Sequence, residues 1–271
     1  MTRPTVADIR ALKGQRPLTM LYVETEEEAA AAAAAGIDIL SIIAPVWTPA
    51  MREAAGDCFV QVGLLYGELV TAEDYLRAAF RARATGGDCY YCAAGMATVR
   101  ALADEGLAVV GHVGLVPSKC TWTGGFKAVG KTSASALAVW QQVRALEAAG
   151  AFGAELEVVP DRVAAEICRR SSLVFFGMGA GADADAQYLF AEDVLGETRG
   201  HRPRHAKTYR DFGAERARLQ AERIAAFGEF RRDVETGAYP EPGHSVGIDD
   251  AEFAGFLTAL DRAAETGKAG G

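Results

Sequence analysis

Short apolar runs alternate with longer amphipathic stretches along most of the chain. The runs at 18–23, 38–43, 58–64, 89–93, 108–112, 154–158 and 173–177 are nearly continuous in apolar residues. Strands covered by helices on both faces of a parallel sheet have this pattern. Between them, 26–35, 72–84, 97–105, 134–149, 162–170 and 186–195 read as helices. Gly36, Gly87, Gly106 and Gly150 each fall just past a helix, where a left-handed cap favours glycine. An eighth strand is expected at 200–207, on count alone. This alternation predicts a single (β/α)8 TIM-type barrel. The alternative is an open doubly wound sheet, but no GxGxxG fingerprint follows the first run, where Tyr22, Val23, Glu24 and Thr25 stand.

No break in composition divides the chain, so residues 1–271 are expected to form one domain with a helical extension at about 213–266. In 213–235, Ile224, Phe227, Phe230 and Val234 recur at helical spacing among charges. In 249–266, Phe253, Phe256, Leu257 and Leu260 make an apolar stripe, with Asp249 or Asp250 as the cap. That stripe needs a partner surface, on this barrel or on another subunit. Residues 267–271 are expected to fray.

Composition narrows the partners. With 28 Lys and Arg against 36 Asp and Glu, the chain carries a net charge of −8. That balance argues against a nucleic acid or an anionic membrane and leaves a small-molecule substrate. Five cysteines in 271 residues make no disulfide framework, which fits a reducing compartment. Residues 1–15 lack an apolar targeting segment. The apolar stretch 29–47 is interrupted by Gly36, Asp38, Ser41 and Pro45, so it reads as a helix and a strand rather than a membrane span. A cytoplasmic protein is expected.

In such a barrel, chemistry sits at the C-terminal strand ends, here at or near Glu24, Ala44, Gly63, Ala93, His112, Glu157 and Gly179. Glu155 and Glu157, two apart on a strand, share a face inside an apolar run. Carboxylates there are costly unless paired or used. His112, between glycines at a strand end, reads as a substrate-oxygen donor or as a satisfied core histidine. Residues 125–132 (GFKAVGKT) match the phosphate-loop pattern. Residues 116–124 (VPSKCTWTG) intervene after the nearest strand, so a mobile glycine loop carrying Lys127 and Lys131 is the better reading. Cys89 and Cys92, three apart on a strand, face opposite ways and read as two buried thiols. The basic run 200–207, with Arg204, is an anion-binding candidate or a solvated loop. Tyr22, Tyr66, Tyr90 and Tyr91 fit an aromatic mouth or core packing.

Several segments occur together and in order: GHVGLVP at 111–117, GGFKAVG at 124–130, ALEAAGA at 145–151 and LEVVP at 156–160. GMGAG at 177–181, GHRPRHAK at 200–207 and GAYPEPGHS at 237–245 follow. Over residues 19–245 the chain resembles the ketopantoate hydroxymethyltransferase (3-methyl-2-oxobutanoate hydroxymethyltransferase) family, within the phosphoenolpyruvate mutase/isocitrate lyase superfamily. The resemblance implies a barrel, a homo-oligomer, magnesium bound to a 2-oxo acid, and a one-carbon unit from 5,10-methylenetetrahydrofolate. The family's strand-end base matches Glu157, and the histidine of its GHxGL motif matches His112.

The same resemblance implies a departure. The family's three metal carboxylates fall at or near Ala44, Gly63 and Ala93, its substrate-binding serine at Pro45 and its fourth-strand lysine at Tyr91. The segment 45–57 is also shorter than in the family. Magnesium wants several oxygen ligands, which these residues lack. The expectation is therefore an enzyme needing no metal or other cofactor, which makes or breaks a carbon–carbon bond, or moves a proton, next to a carbonyl. Glu157 would be the base. His112 and Tyr91 would donate to the developing oxyanion. Glu24, Glu155, Lys127 and Arg204 would bind substrate. The alternatives are ordinary ketopantoate synthesis, with magnesium moved to Glu24, Glu155 and Glu157 and folate retained, and a non-catalytic small-molecule binder.

Overall fold

The computed structural model describes residues 3–268. Its central feature is a closed barrel of eight parallel strands in sequential order. The strands are β1 (Leu18–Tyr22), β2 (Ile39–Ile43), β3 (Phe59–Gly63), β4 (Cys89–Tyr91), β5 (Val109–Gly114), β6 (Gly153–Glu157), β7 (Val174–Met178) and β8 (Ala186–Phe190). Around them lie α1 (Val6–Leu12), α2 (Glu26–Ala34), α3 (Pro49–Ala54), α4 (Ala72–Ala84), α5 (Met96–Asp104), α6 (Ser133–Ala148), α7 (Asp161–Arg170) and α8 (Ala191–Leu195). The predicted (β/α)8 architecture is the one observed.

Four helices start by one device. Thr5, Thr25, Thr71 and Thr132 cap α1, α2, α4 and α6, and each hydroxyl accepts a backbone N–H from three residues on. In each case that residue's side chain reaches back to the threonine N–H, forming a capping box. Thr132 closes the phosphate-loop-like motif, so that motif ends as an ordinary helix cap.

Two apolar layers follow from the alternation of the strands. Outward residues such as Val60, Val62, Tyr90 and Cys92 pack under the helices. Inward residues such as Leu18, Met20, Ile39, Phe59, Cys89, Val110, Val174 and Phe176 fill the barrel floor together with Ile9 of α1. Cys89 and Cys92 therefore do face opposite ways, and all five cysteines are unpaired. Among the described residues, no helix is long and apolar enough to cross a membrane.

Two expectations need correction. The eighth strand is not 200–207, which is irregular, but β8, inside the stretch 186–195 read as a helix. Ala186 and Tyr188 are buried while Gln187 is exposed, a period of two. Pairing with both β1 and β7 closes the barrel and overrides the local helical appearance. After α4 the left-handed glycine is Gly86 rather than Gly87, whereas Gly36, Gly106 and Gly150 do adopt positive φ.

Among the described residues, 214–268 form a separate compact unit. It holds most of α9 (Phe212–Thr236) and all of α10 (Asp250–Lys268). Asp249, of the two capping candidates, accepts the backbone N–H of Ala251 at 2.9 Å. Both apolar series, Ile224/Phe227/Phe230/Val234 and Phe253/Phe256/Leu257/Leu260, are exposed. Of the tail expected to fray, 269–271 lie outside the described residues.

Candidate active site

Above the apolar floor the barrel interior turns polar. Register places His112 opposite Glu155 and Gly114 opposite Glu157 across β5 and β6. Both glutamates thus lean on one histidine. His112 Nδ1 is 3.4 Å from Glu155 Oε2, and its Nε2 is 3.2 Å from Glu157 Oε2. The histidine side chain is only 2% exposed, against 13% for Glu157.

Hydrogen positions follow from chemistry. His112 Nε2 is 2.7 Å from the Leu115 carbonyl, which can only accept, so Nε2 carries a hydrogen and donates it. Nδ1 is 2.8 Å from Tyr91 Oη. Burial, followed by the charge of Glu155, pushes the Tyr91 phenol well above its ordinary range. Tyr91 therefore keeps its proton and donates it to Nδ1. In this arrangement neither His112 nor Tyr91 has a hydrogen left for a substrate oxygen. Each ring nitrogen nonetheless lies close to a carboxylate, Nδ1 to Glu155 and Nε2 to Glu157.

Glu155 is the deeper carboxylate. Gln61 Nε2 donates to its Oε1 at 2.8 Å and also contacts Ser41 Oγ at 3.3 Å. Ser41 in turn hydrogen-bonds Tyr188. This polar belt ties β6 to β3, β2 and β8. Burial pushes Glu155 up to about 7, with the Glu157 charge adding to it, while His112 and the Gln61 hydrogen bond pull the other way. The sequence reading did not single out Gln61. Its signal was a lone amide in the apolar run FVQVG.

Glu157 ends β6 at a strained corner. Val158, the next residue, has φ 49°, a left-handed conformation that costs a β-branched side chain about 1–2 kcal/mol. It is held there because its N–H donates to the Met178 carbonyl and its own carbonyl accepts from Val129. Gly114 makes the close approach on the other side. It has φ +87°, and a Cβ there would lie 2.3 Å from the Glu157 carbonyl oxygen.

The remaining candidates are not gathered here. Glu24 is exposed at the end of β1, where it accepts the Tyr22 hydroxyl at 2.9 Å. Lys127 and Arg204 are exposed, and neither forms an ion pair among the described residues. From the basic run it is His205, not Arg204, that reaches a strand end, packing against Gly179 after β7. Of the four tyrosines, Tyr90 faces outward and donates to the Gly87 carbonyl, so it does not line the mouth. Lys119 was passed over in the sequence, yet its Nζ donates to the Ala93 carbonyl beyond β4 at 2.6 Å.

The ketopantoate hydroxymethyltransferase family model matches residues 46–242, most of the chain. The chain belongs to the ketopantoate hydroxymethyltransferase family. It is 34% identical to a 3-methyl-2-oxobutanoate hydroxymethyltransferase of Thermus thermophilus, over 90% of this chain and 99% of that protein. The same enzyme of Nitratidesulfovibrio vulgaris is 38% identical over 60% of this chain, and there the chain spans about half (51%) of the relative's length. Among solved structures, a Burkholderia cenocepacia protein proposed to be a phosphonomutase superposes with a TM-score of 0.54 at 16% identity. That superposition covers 82% of this chain and 99% of the other, and it shows a shared fold.

The family resemblance raises the question of magnesium. Ala44, Gly63 and Ala93 have no side-chain oxygen, and an ammonium occupies the Ala93 carbonyl. Glu155 and Glu157 both lie on His112, and Glu24 binds Tyr22 instead of joining them. This donor set does not fit a hard divalent ion, either at the family's positions or at the alternative trio.

Proposed function

We propose that this enzyme acts next to the carbonyl of a small 2-oxo acid, without a metal, and that Glu157 is its base. The carrying observation is Glu157 itself, a carboxylate at a barrel strand end, 3.2 Å from His112 Nε2 and next to the strained corner at Val158. Its carboxylate takes the proton from the carbon beside the carbonyl, and the released electron pair moves onto the carbonyl oxygen. The carbonyl then re-forms as the enolate carbon bonds to a one-carbon electrophile, whose carbon–heteroatom double bond opens with its electron pair passing to the heteroatom, and Glu157 gives up its proton. The reverse sequence breaks that bond.

The first half of this reaction can be tested alone. In deuterated buffer with 3-methyl-2-oxobutanoate, 2-oxobutanoate or pyruvate and no one-carbon donor, proton NMR should show enzyme-dependent loss of the signal from the carbon beside the carbonyl. The rate should not change after exhaustive chelation. If none of the acids exchanges, the reading fails; if exchange stops on chelation, its metal-free form fails.

The Thermus relative favours a second reading, hydroxymethyl transfer to 3-methyl-2-oxobutanoate from 5,10-methylenetetrahydrofolate. Formation of the hydroxymethylated acid when that donor is added would assign it. The exposed apolar series on α9 and α10 support a homo-oligomer. Light scattering should then give a mass at least twice the 28.6 kDa of one chain, and a monomer would refute it.

A further inference from the structure

The mouth of the barrel has an unbalanced charge. Two carboxylates, Glu155 and Glu157, face it, and the proposed reaction brings an anionic acid and creates an oxyanion beside them. Such a site needs a cation or a set of free donors. The hydrogens of His112 and Tyr91 are engaged with protein acceptors, and Gln61 donates to Glu155 and lies against Ser41.

Lys119 meets this need. Its Nζ donates to the Ala93 carbonyl, two residues past Tyr91, where β4 ends. Ala93 is 4% exposed, and Tyr66, which follows β3, lies at the same C-terminal end of the strands. The ammonium has three hydrogens, and the Ala93 carbonyl takes one. The Tyr66 ring lies over it at 5.2 Å, which helps hold the charge at this place. The short 3-10 segment Pro117–Thr123 that carries Lys119 breaks its helical geometry at this residue, with φ −119° and ψ 15°. Lys127 and Arg204, the cations favoured by the sequence, are exposed.

We propose that the Lys119 ammonium is the anion-binding group of the barrel mouth, pairing with the carboxylate of the 2-oxo acid while Glu157 works on the carbon beside its carbonyl. This rests on the reading of the mouth as a 2-oxo acid site and adds the residue that recognises the acid. The contact is an ion pair, and no covalent bond forms.

The test is titration calorimetry of the full chain with oxalate, with 3-methyl-2-oxobutanoate and with the neutral ketone 3-methyl-2-butanone. Lys119→Met keeps the length of the side chain and removes its charge. It should weaken both anions about 10–100-fold, the scale of a charge-assisted hydrogen bond. Binding of the ketone should not change, and Lys119→Arg should restore much of the anion affinity. In the exchange assay the loss should fall mainly on KM. If Lys119→Met binds both anions as the parent does, this inference is overturned and the 2-oxo acid reading stands. If the parent binds neither anion, both are overturned. Borohydride trapping of 3-methyl-2-oxobutanoate on Lys119, seen as an added mass, would overturn the ion pair in favour of an imine. Melting temperatures and the Glu157→Gln variant, which should still bind oxalate, separate loss of the site from loss of the fold.

Discussion

Glu157→Gln should slow deuterium exchange next to the carbonyl of the accepted 2-oxo acid by about 10²- to 10⁴-fold, the usual contribution of a positioned general base. The substitution is nearly isosteric. The amide keeps its place beside the His112 ring, and neither Val158 nor Gly114 has to move. What disappears is the capacity to take a proton, so kcat should carry the loss while KM stays within about threefold. The charge of Glu157 also helps to raise Glu155, so the variant should bring Glu155 back toward its ordinary range. NMR titration of the Glu155 carboxyl would report that second effect even if turnover were too slow to follow. An undiminished exchange rate in a folded variant would remove Glu157 from the chemistry.

The arrangement behind this expectation was only partly legible in the sequence. The seven apolar runs mark seven of the eight strands within about two residues, because a strand buried on both faces has little room for polar side chains. β8 escaped because Ala186–Phe190 is short, carries an exposed Gln187 and runs straight into α8. Its identity depends on pairing with β1 at the far end of the chain, which local pattern does not contain. Glu155, Glu157 and His112 could be picked out individually as polar groups in apolar runs. That one ring would bridge both carboxylates depends on the register of β5 against β6, which no spacing within either strand specifies. Lys119 illustrates the same limit. A lysine in a loop carries no periodic signal, and only the fold brings its Nζ to the Ala93 carbonyl.

Glu155 should make the stability of the protein fall as pH rises through neutrality. Its carboxyl is pushed up to about 7 in the folded chain, from an ordinary value of 4.5, chiefly because burial disfavours the charged form. The folded state therefore binds this proton more tightly than the unfolded state. The resulting stabilisation is fully present below about 4.5 and is lost as pH climbs through 7, where folding must carry a buried charge. The full swing is about 3 kcal/mol, a large part of the stability of an ordinary domain. Glu155→Gln isolates this contribution. The amide still accepts from Gln61 Nε2, keeps the polar belt to Ser41 and Tyr188, and has no proton to lose. Urea unfolding of both chains between pH 4.5 and 8.5 should give curves that diverge with pH, the variant gaining about 3 kcal/mol on the parent by pH 8. Other titrating groups are common to both chains and cancel in the difference, apart from His112 and Glu157, whose charges act on Glu155. Parallel curves would mean that Glu155 titrates alike in the folded and unfolded chains, and that the buried belt does not hold its proton.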